Sequence, residues 1–238
     1  MQVVILAGGL GTRLGPLTAG LPKALVPVNG RPFLAHVFDL LRESGLTRML
    51  LLHGHHGAQL ETAFGDGRRF GVEIAYRHDG PILLGTGGAL RNAIDVLEEE
   101  FFVLYGDTFL DIDYAAVARA FHACGKPALM TVLHNQGRWD ASNVVFREGR
   151  LLRYDKKDRS PEMEHIDYGL SALRRELVAE IRSGEPEDLA AFYSRLVREE
   201  RMAGYEVSQR FYEIGTPRGL AETEAYLAAR RRPRGDPL

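Results

Sequence analysis

Three glycines fall within four residues at Gly8-Gly9-Leu10-Gly11, and cations follow at Arg13 and Lys23. Residues of these types at this spacing suit a bound phosphate. Bare backbone lets N–H groups approach phosphate oxygens closely, and glycine turns through φ > 0 without a Cβ clash. The Arg13 guanidinium is a rigid fork matched to phosphate oxygens, and Lys23 is a mobile point charge. A tight strand-to-helix turn is the alternative for the glycines alone. Thr12-Arg13 and Pro22-Lys23 weigh against it.

Other stretches carry possible chemistry. Leu84-Gly85-Thr86-Gly87-Gly88 is a second glycine-rich turn, read either as a bare wall against a flat ring or as a simple tight loop. Asp79 precedes it and could make a polar contact there. Asp107 follows Tyr105-Gly106 at the end of an apolar strand, where open α/β sheets gather ligands and a carboxylate can hold Mg²⁺. A turn or capping role is its alternative. Asp111 and Asp113 read as turn and N-cap residues. His53, His55 and His56 end a strand with no acid or cysteine completing a metal set, so they read as loop packing. Trp139, in the polar loop 137–143, either covers a ligand or packs over a neighbouring hairpin.

Two familiar phosphate loops do not match. A Walker loop needs Lys-Ser/Thr directly after its last glycine, where this chain has Thr12-Arg13. A dinucleotide turn needs G-x-G-x-x-G entering a helix, with an acid about 20 residues on. Here the spacing is G-G-x-G, Pro16 and Pro22 interrupt any helix, and residues 28–34 hold no acid.

The stretch Leu6-Ala7-Gly8-Gly9-Leu10-Gly11-Thr12-Arg13-Leu14, closed by Pro22-Lys23, instead resembles the signature of the sugar-1-phosphate nucleotidyltransferases. That resemblance implies an Mg²⁺-dependent reaction of a nucleoside triphosphate with a sugar 1-phosphate, releasing pyrophosphate. It implies a nucleotide held by Leu6, Ala7, Gly8, Gly9, Gly11, Thr12 and Arg13, with Gly85, Thr86 and Asp79 beside base and ribose. Asp107 would ligate the metal. Phe211-Tyr212-Glu213-Ile214-Gly215-Thr216-Pro217 is similar to W-x-D-I-G-T-P, whose acid is the second ligand; Glu213 keeps its charge with one more methylene. Ile166-Asp167-Tyr168-Gly169 is similar to the N-x-G sugar-binding motif, with Asp167 accepting from sugar hydroxyls beside Gly169. Tyr154-Asp155-Lys156-Lys157 matches F-x-E-K. Counted from the aromatic the family lysine is Lys157, counted from the acid it is Lys156, and Lys157 is preferred on the assumption that a strand puts them on opposite faces. Arg13, Lys23, Lys157 and Asp107 are the expected catalytic set, with Trp139 on the sugar side. The motifs look closest to the short heptose- or mannose-1-phosphate guanylyltransferases, making GTP the favoured triphosphate; a uridylyl- or cytidylyltransferase, or a non-catalytic nucleotide-sugar sensor, are the alternatives.

These residues need elements to position them. Gln2-Val3-Val4-Ile5, Met49–Leu52, Val72–Tyr76 and Phe101–Tyr105 read as strands. Helices are expected over Leu34–Leu41, Ala58–Phe64 and Leu90–Leu97, the last from apolar residues at 90, 93, 94 and 97. This alternation predicts a Rossmann-like α/β fold with a mostly parallel sheet and helices on both faces. After Asp107 come a helix capped by Asp113, a strand over Ala128–Leu133, a small β-hairpin over 143–154, a strand over Ile166–Leu173, two helices, a short strand at Phe211–Ile214 and a last helix after Thr216-Pro217. One domain of 238 residues is expected, with a nucleotide half (1–110) and a sugar-phosphate half (111–238).

Composition fits a globular enzyme, at 45 % apolar and 26 % charged residues. A net charge of −2 gives no basic field for nucleic acid. No apolar run reaches the ~20 residues of a membrane span, and the N-terminal core strand lacks the basic start of a secretory leader. The single Cys124 forms no internal disulfide. A cytoplasmic monomer or homodimer is expected, with no acyltransferase extension.

Overall fold

Gln2–Leu6 (β1) is buried along its whole length because helices cover both of its faces. In the computed structural model, which describes residues 1–8, 20–54, 56–80 and 82–230, Val3 and Ile5 face a core shared with Phe33, Phe38 and Leu41. Val4 and Leu6 face a second core with Leu90, Phe192 and Leu196. Burying each such Val, Leu, Ile or Phe side chain contributes roughly 1.5–3 kcal/mol.

The first half runs through a two-residue hairpin, Pro27–Val28 (β2) and Arg31–Pro32 (β3), to the helix Phe33–Glu43 (α1). There follow Arg48–His53 (β4), Gly57–Phe64 (α2), Glu73–His78 (β5), Gly85–Asn92 (α3) and Glu100–Tyr105 (β6). The second half has Thr108–Phe109 (β7), Tyr114–Ala123 (α4), Ala128–His134 (β8), Val144–Arg147 (β9), Arg150–Tyr154 (β10) and His165–Arg174 (β11). It closes with Arg175–Val178 (α5), Leu189–Arg198 (α6), Met202–Val207 (β12), Tyr212–Glu213 (β13) and Pro217–Arg230 (α7).

The main sheet runs β5-β4-β1-β6-β11-β8-β12, with the β9–β10 hairpin joined to β11 at Val144. β5, β4, β1 and β6 are mutually parallel, and β11 runs against both β6 and β8. This is the expected α/β architecture. The chain goes to one side of β1 for β4 and β5, then crosses to the other side for β6. Strand order therefore switches at β1, and the turns after β1 and β6 meet at that switch.

Two of the differences from the sequence reading bear on packing around the site. The helix expected over 90–97 starts five residues earlier, at Gly85, and ends at Asn92. Its glycines allow the first turn to press on backbone 185–187: Gly87 N donates to Glu187 O at 2.8 Å, and a Cβ on Gly88 would lie 2.8 Å from Glu185 O. Beyond Asn92 the apolar residues are buried from tight turns, with Ala93 N bonded to Leu90 O and Val96 N to Ala93 O. The strand β12 was not expected. Gly204 interrupts its pattern because the Phe146 ring occupies the place of a side chain, 2.5 Å from a Cβ built there.

No helix among the described residues is long and apolar enough to cross a membrane.

Candidate active site

Two cavities open at the carboxyl edge of the sheet and share Tyr105 and Asp107. Both fall in the ~300–1,000 Å³ range of small-molecule sites. The smaller, about 350 Å³, lies at the switch point, where α/β folds bind ligands. Leu6, Ala7 and Gly8 form its floor, with Leu52, Leu83 and Ala89 making it mainly apolar. Gly85, Thr86 and Asp79 line it as well. The Thr86 hydroxyl is committed to the protein: it donates to Asp188 Oδ1 at 3.2 Å and accepts from Leu189 N at 2.8 Å. It ties α3 to α6, which leaves Gly85 backbone as the bare wall. Gly9, Gly11, Thr12 and Arg13, with His55 and the tail from Arg231, lie outside the described residues.

The larger cavity, about 530 Å³, is polar and lies under β11 and the loops that flank it. Asp167 and Gly169 sit on a bulge, where the β11–β8 register shifts between Asp167 and Ser171. Gly169 takes φ +102°, a conformation that side chains disfavour. The fully buried Thr131 hydroxyl caps the bulge by donating to Leu170 O at 2.7 Å. Bulges re-aim side chains, and this one holds Asp167 in the lining of the cavity. Asn143 Oδ1 accepts from Asp167 N, and Gly169 N donates to Asp167 Oδ1. Tyr154 donates its hydroxyl to Asp167 Oδ2 at 3.0 Å. Burial, with the Asp167 charge adding to it, pushes the Tyr154 pKa far up, so this hydroxyl keeps its proton.

Lys156 Nζ lies 3.6 Å from Asp167 Oδ2 and over the Tyr105 ring. Lys156 lines this cavity, and Lys157 does not. The preference for Lys157 assumed strand alternation, but β10 ends at Tyr154. Asp155 then accepts from Lys157 N and Asp158 N, turning the chain so that the alternation no longer applies. Trp139 lines the cavity with its ring stacked on the Arg210 guanidinium, 3.9 Å from it. Arg210 is also over Tyr212 and paired with Glu222 at 2.6 Å. Sequence reasoning missed Arg210, Arg138 and Arg159 in this lining; Arg210 directly precedes the 211–217 motif, and that adjacency was the available signal.

At the seam, Lys23 Nζ donates to Asp107 Oδ2 at 3.0 Å. Lys23 is 13 % exposed and Asp107 29 %, so solvent screens the pair only partly. Glu213 is brought beside them because β13 pairs with β7, Glu213 opposite Thr108, and Ile214 N donates to Asp107 O. Its carboxylate is folded onto its own turn, accepting from Gly215 N and, at 2.9 Å, from the Thr216 hydroxyl. The carboxylates of Asp107, in the turn before β7, and Glu213, on β13, form an all-oxygen donor set that fits a hard cation such as Mg²⁺. Among the described residues no cluster of three metal-ligating side chains forms. Asp111 accepts from Tyr226 and Arg230, and Asp113 caps α4 through Ala116 N. His53 is buried against the Tyr76 and His78 rings.

A family model described as nucleotidyl transferase matches residues 2–142, spanning both glycine stretches and Asp107. The chain belongs to the nucleotidyl transferase family. It is 29 % identical over 235 residues to an N-acetylmuramate α-1-phosphate uridylyltransferase of Neisseria meningitidis, covering 96 % of this chain and 99 % of that one. It is 38 % identical over 113 residues to a D-glycero-α-D-manno-heptose 1-phosphate guanylyltransferase of Campylobacter jejuni, 48 % of this chain and 50 % of that one. The chain spans about half to two thirds of the length of several other curated relatives. The inositol-1-phosphate CTP transferase of T. maritima shares the fold, with a TM-score of 0.79 at 19 % identity over 99 % of this chain and 98 % of that one.

As a positioning test, Tyr154→Phe is expected to raise KM for the ligand of the larger cavity about fivefold with little change in kcat. A hydrogen bond to a charged group is worth roughly 1.5–3 kcal/mol, and Tyr154 acts through Asp167, so only part of that reaches the ligand. Steady-state kinetics with that ligand varied measure it.

Proposed function

We propose that this nucleotidyl transferase moves a nucleoside monophosphate from a triphosphate, with GTP favoured, to a sugar 1-phosphate such as a heptose or mannose 1-phosphate, and releases pyrophosphate. The reading rests on one observation above the others: an apolar slot and a polar cavity share Asp107 and Tyr105 at the switch point of the sheet. A base and ribose fit the first, a sugar the second, and the two phosphates would meet at the seam. A uridylyl transfer is the second reading, favoured by the full-length similarity to the Neisseria enzyme.

The reaction joins two anions. A like-charge pair at 4 Å costs ~4 kcal/mol at an effective dielectric near 20, and several such pairs arise. Arg13 would hold the β- and γ-phosphates, Lys23 the α-phosphate, and Lys156 the sugar phosphate. Asp107 and Glu213 are the residues that would hold Mg²⁺, which supplies charge neutralisation at phosphoryl oxygens. Lys23 must leave Asp107 to meet a phosphate, and the same exchange frees the carboxylate. Asp167, Gly169 and Trp139 would orient the sugar. A phosphate nucleophile is already ionised, so no general base is required, and positioning with charge neutralisation carries the rate. We place the reaction in the cytoplasm.

Pyrophosphate release should need a triphosphate, a sugar 1-phosphate and Mg²⁺ together. A coupled pyrophosphate assay run with each component omitted checks this; release without the sugar phosphate would mean a hydrolase instead.

A further inference from the structure

The larger cavity follows β11 from the seam toward the start of that strand. At the seam end, a Cβ on Gly169 would lie 3.8 Å from Thr108 Cγ2 and 3.8 Å from Tyr105 Cδ2, the neighbours of Asp107 and Gly106 in the chain. At the other end, two loops are anchored beside His165: residues 135–143 after β8 and 155–164 after β10. Asn135 N donates to Glu164 O at 2.9 Å, and Asn143 N donates to His165 O at 2.9 Å. From His165 to Gly169 a strand advances roughly 13 Å at about 3.3 Å per residue. Asp167 stands midway. Each loop places one arginine in the cavity lining, Arg138 and Arg159. Both are exposed, and neither side chain has a hydrogen bond or ion pair among the described residues. Other charges of the lining are engaged: Lys156 faces Asp167, and Arg210 and Arg218 share the single carboxylate of Glu222. Asp140 accepts from Ala141 N of its own loop at 2.7 Å. Positive charge is therefore left over on the loop side of the cavity.

Resting on the nucleotidyl-transfer reading, we propose that the sugar 1-phosphate carries a second anionic group, a carboxylate or phosphate at the end of the sugar away from C1, and that Arg138 and Arg159 bind it. The 1-phosphate has to meet the triphosphate at the seam, where Lys23 and Lys156 stand, so it does not account for the two loop arginines. A guanidinium is a planar fork that takes two oxygens of a carboxylate or phosphate at once. Two such forks from adjacent loops suit an oxyanion better than a row of hydroxyl groups, which need acceptors as well as donors. The sugar ring would then lie between the two anions, beside Asp167. Both arginines reach water, so screening keeps the selectivity moderate, at about tenfold for two exposed charge contacts.

The test compares three sugars that differ only at C6: mannose 1-phosphate, mannuronate 1-phosphate and mannose 1,6-bisphosphate. Binding is followed by the fluorescence of Trp139, the sole tryptophan, which lines the cavity. Turnover is followed as kcat/KM for pyrophosphate release, with GTP and with UTP. At least one of the two acidic sugars should bind and react about tenfold better than mannose 1-phosphate. Preference for mannuronate 1-phosphate would identify the group as a carboxylate, and preference for the bisphosphate alone would identify it as a phosphate. In Arg138→Gln/Arg159→Gln the ratio of acidic to neutral sugar should fall to near one, while Arg138→Lys/Arg159→Lys should keep part of it. Thermal unfolding of both variants should match the unaltered protein, since neither side chain has a partner to lose. A neutral sugar that binds and reacts as well as both acidic ones would overturn the proposal. So would a preference that survives in the glutamine variant. Acidic sugars that bind more tightly through these arginines while no triphosphate releases pyrophosphate would overturn the nucleotidyl-transfer reading and leave the anion site standing.

Discussion

Asp107→Asn should lower kcat for pyrophosphate release by about 10²–10³-fold while the protein stays folded. Among the described residues Asp107 is the one carboxylate shared by both cavities, and it follows β6, whose turn meets that of β1 at the switch in sheet order. The amide keeps its size and its place in the turn between β6 and β7, where the backbone carbonyl accepts from Ile214 N. What disappears is the negative charge opposite Lys23 and one of the two carboxylates proposed for Mg²⁺. At 3.0 Å the attraction to Lys23 is roughly 5 kcal/mol at an effective dielectric near 20, before both groups' desolvation is subtracted. The net loss of stability should therefore be small, within about 1 kcal/mol. Single-turnover kinetics alongside circular-dichroism melting separate the two effects. A variant that melts normally and turns over at full rate would remove Asp107 from the chemistry.

Gly219→Ala should be the most damaging small substitution in the second half of the chain. Gly219 lies in the first turn of α7 against β13. A Cβ there would fall 2.1 Å from Glu213 Oε1 and 2.6 Å from the Glu213 backbone oxygen. The side-chain oxygen could swing away, but the backbone oxygen cannot without moving β13 and its pairing with Thr108. Over-packing of this kind costs typically 1–3 kcal/mol, and the upper end is expected because Thr223 also bonds Glu213 O at 3.0 Å. The displaced strand carries Glu213 beside Asp107, so turnover of the folded fraction should fall ~10-fold as well, in line with sub-ångström misplacement of reacting groups. Urea unfolding with activity measured on the same samples checks both. Unchanged stability would show that α7 shifts freely and does not hold the seam.

The parts of this protein that local chemistry dictates were legible in the sequence. β1, β4 and β6 are apolar on both faces, and only a strand covered on both sides satisfies that pattern. Asp113 precedes an apolar-periodic run and caps it, and Glu148-Gly149 turns the β9–β10 hairpin with φ of +52° and +77°. The position of Asp107 followed from its place after an apolar strand. What tertiary structure decided were contacts between residues far apart in the chain. The start of α3 was set by backbone 185–187 pressing on its glycines, a contact about 100 residues away in sequence, and the same contact took up the Thr86 hydroxyl. One exception is local: Asp155 turns the chain after β10, which ends the alternation that sequence counting assumed, so Lys156 rather than Lys157 lines the cavity. Arg210 joins the site because the Trp139 ring, from the 137–143 loop, and the Tyr212 ring of β13 hold it between them. Periodicity and capping act within a few residues, so a sequence displays them directly. Such long-range pairings exist only once the sheet has closed, because their favourable energy must first offset the entropy of bringing the segments together.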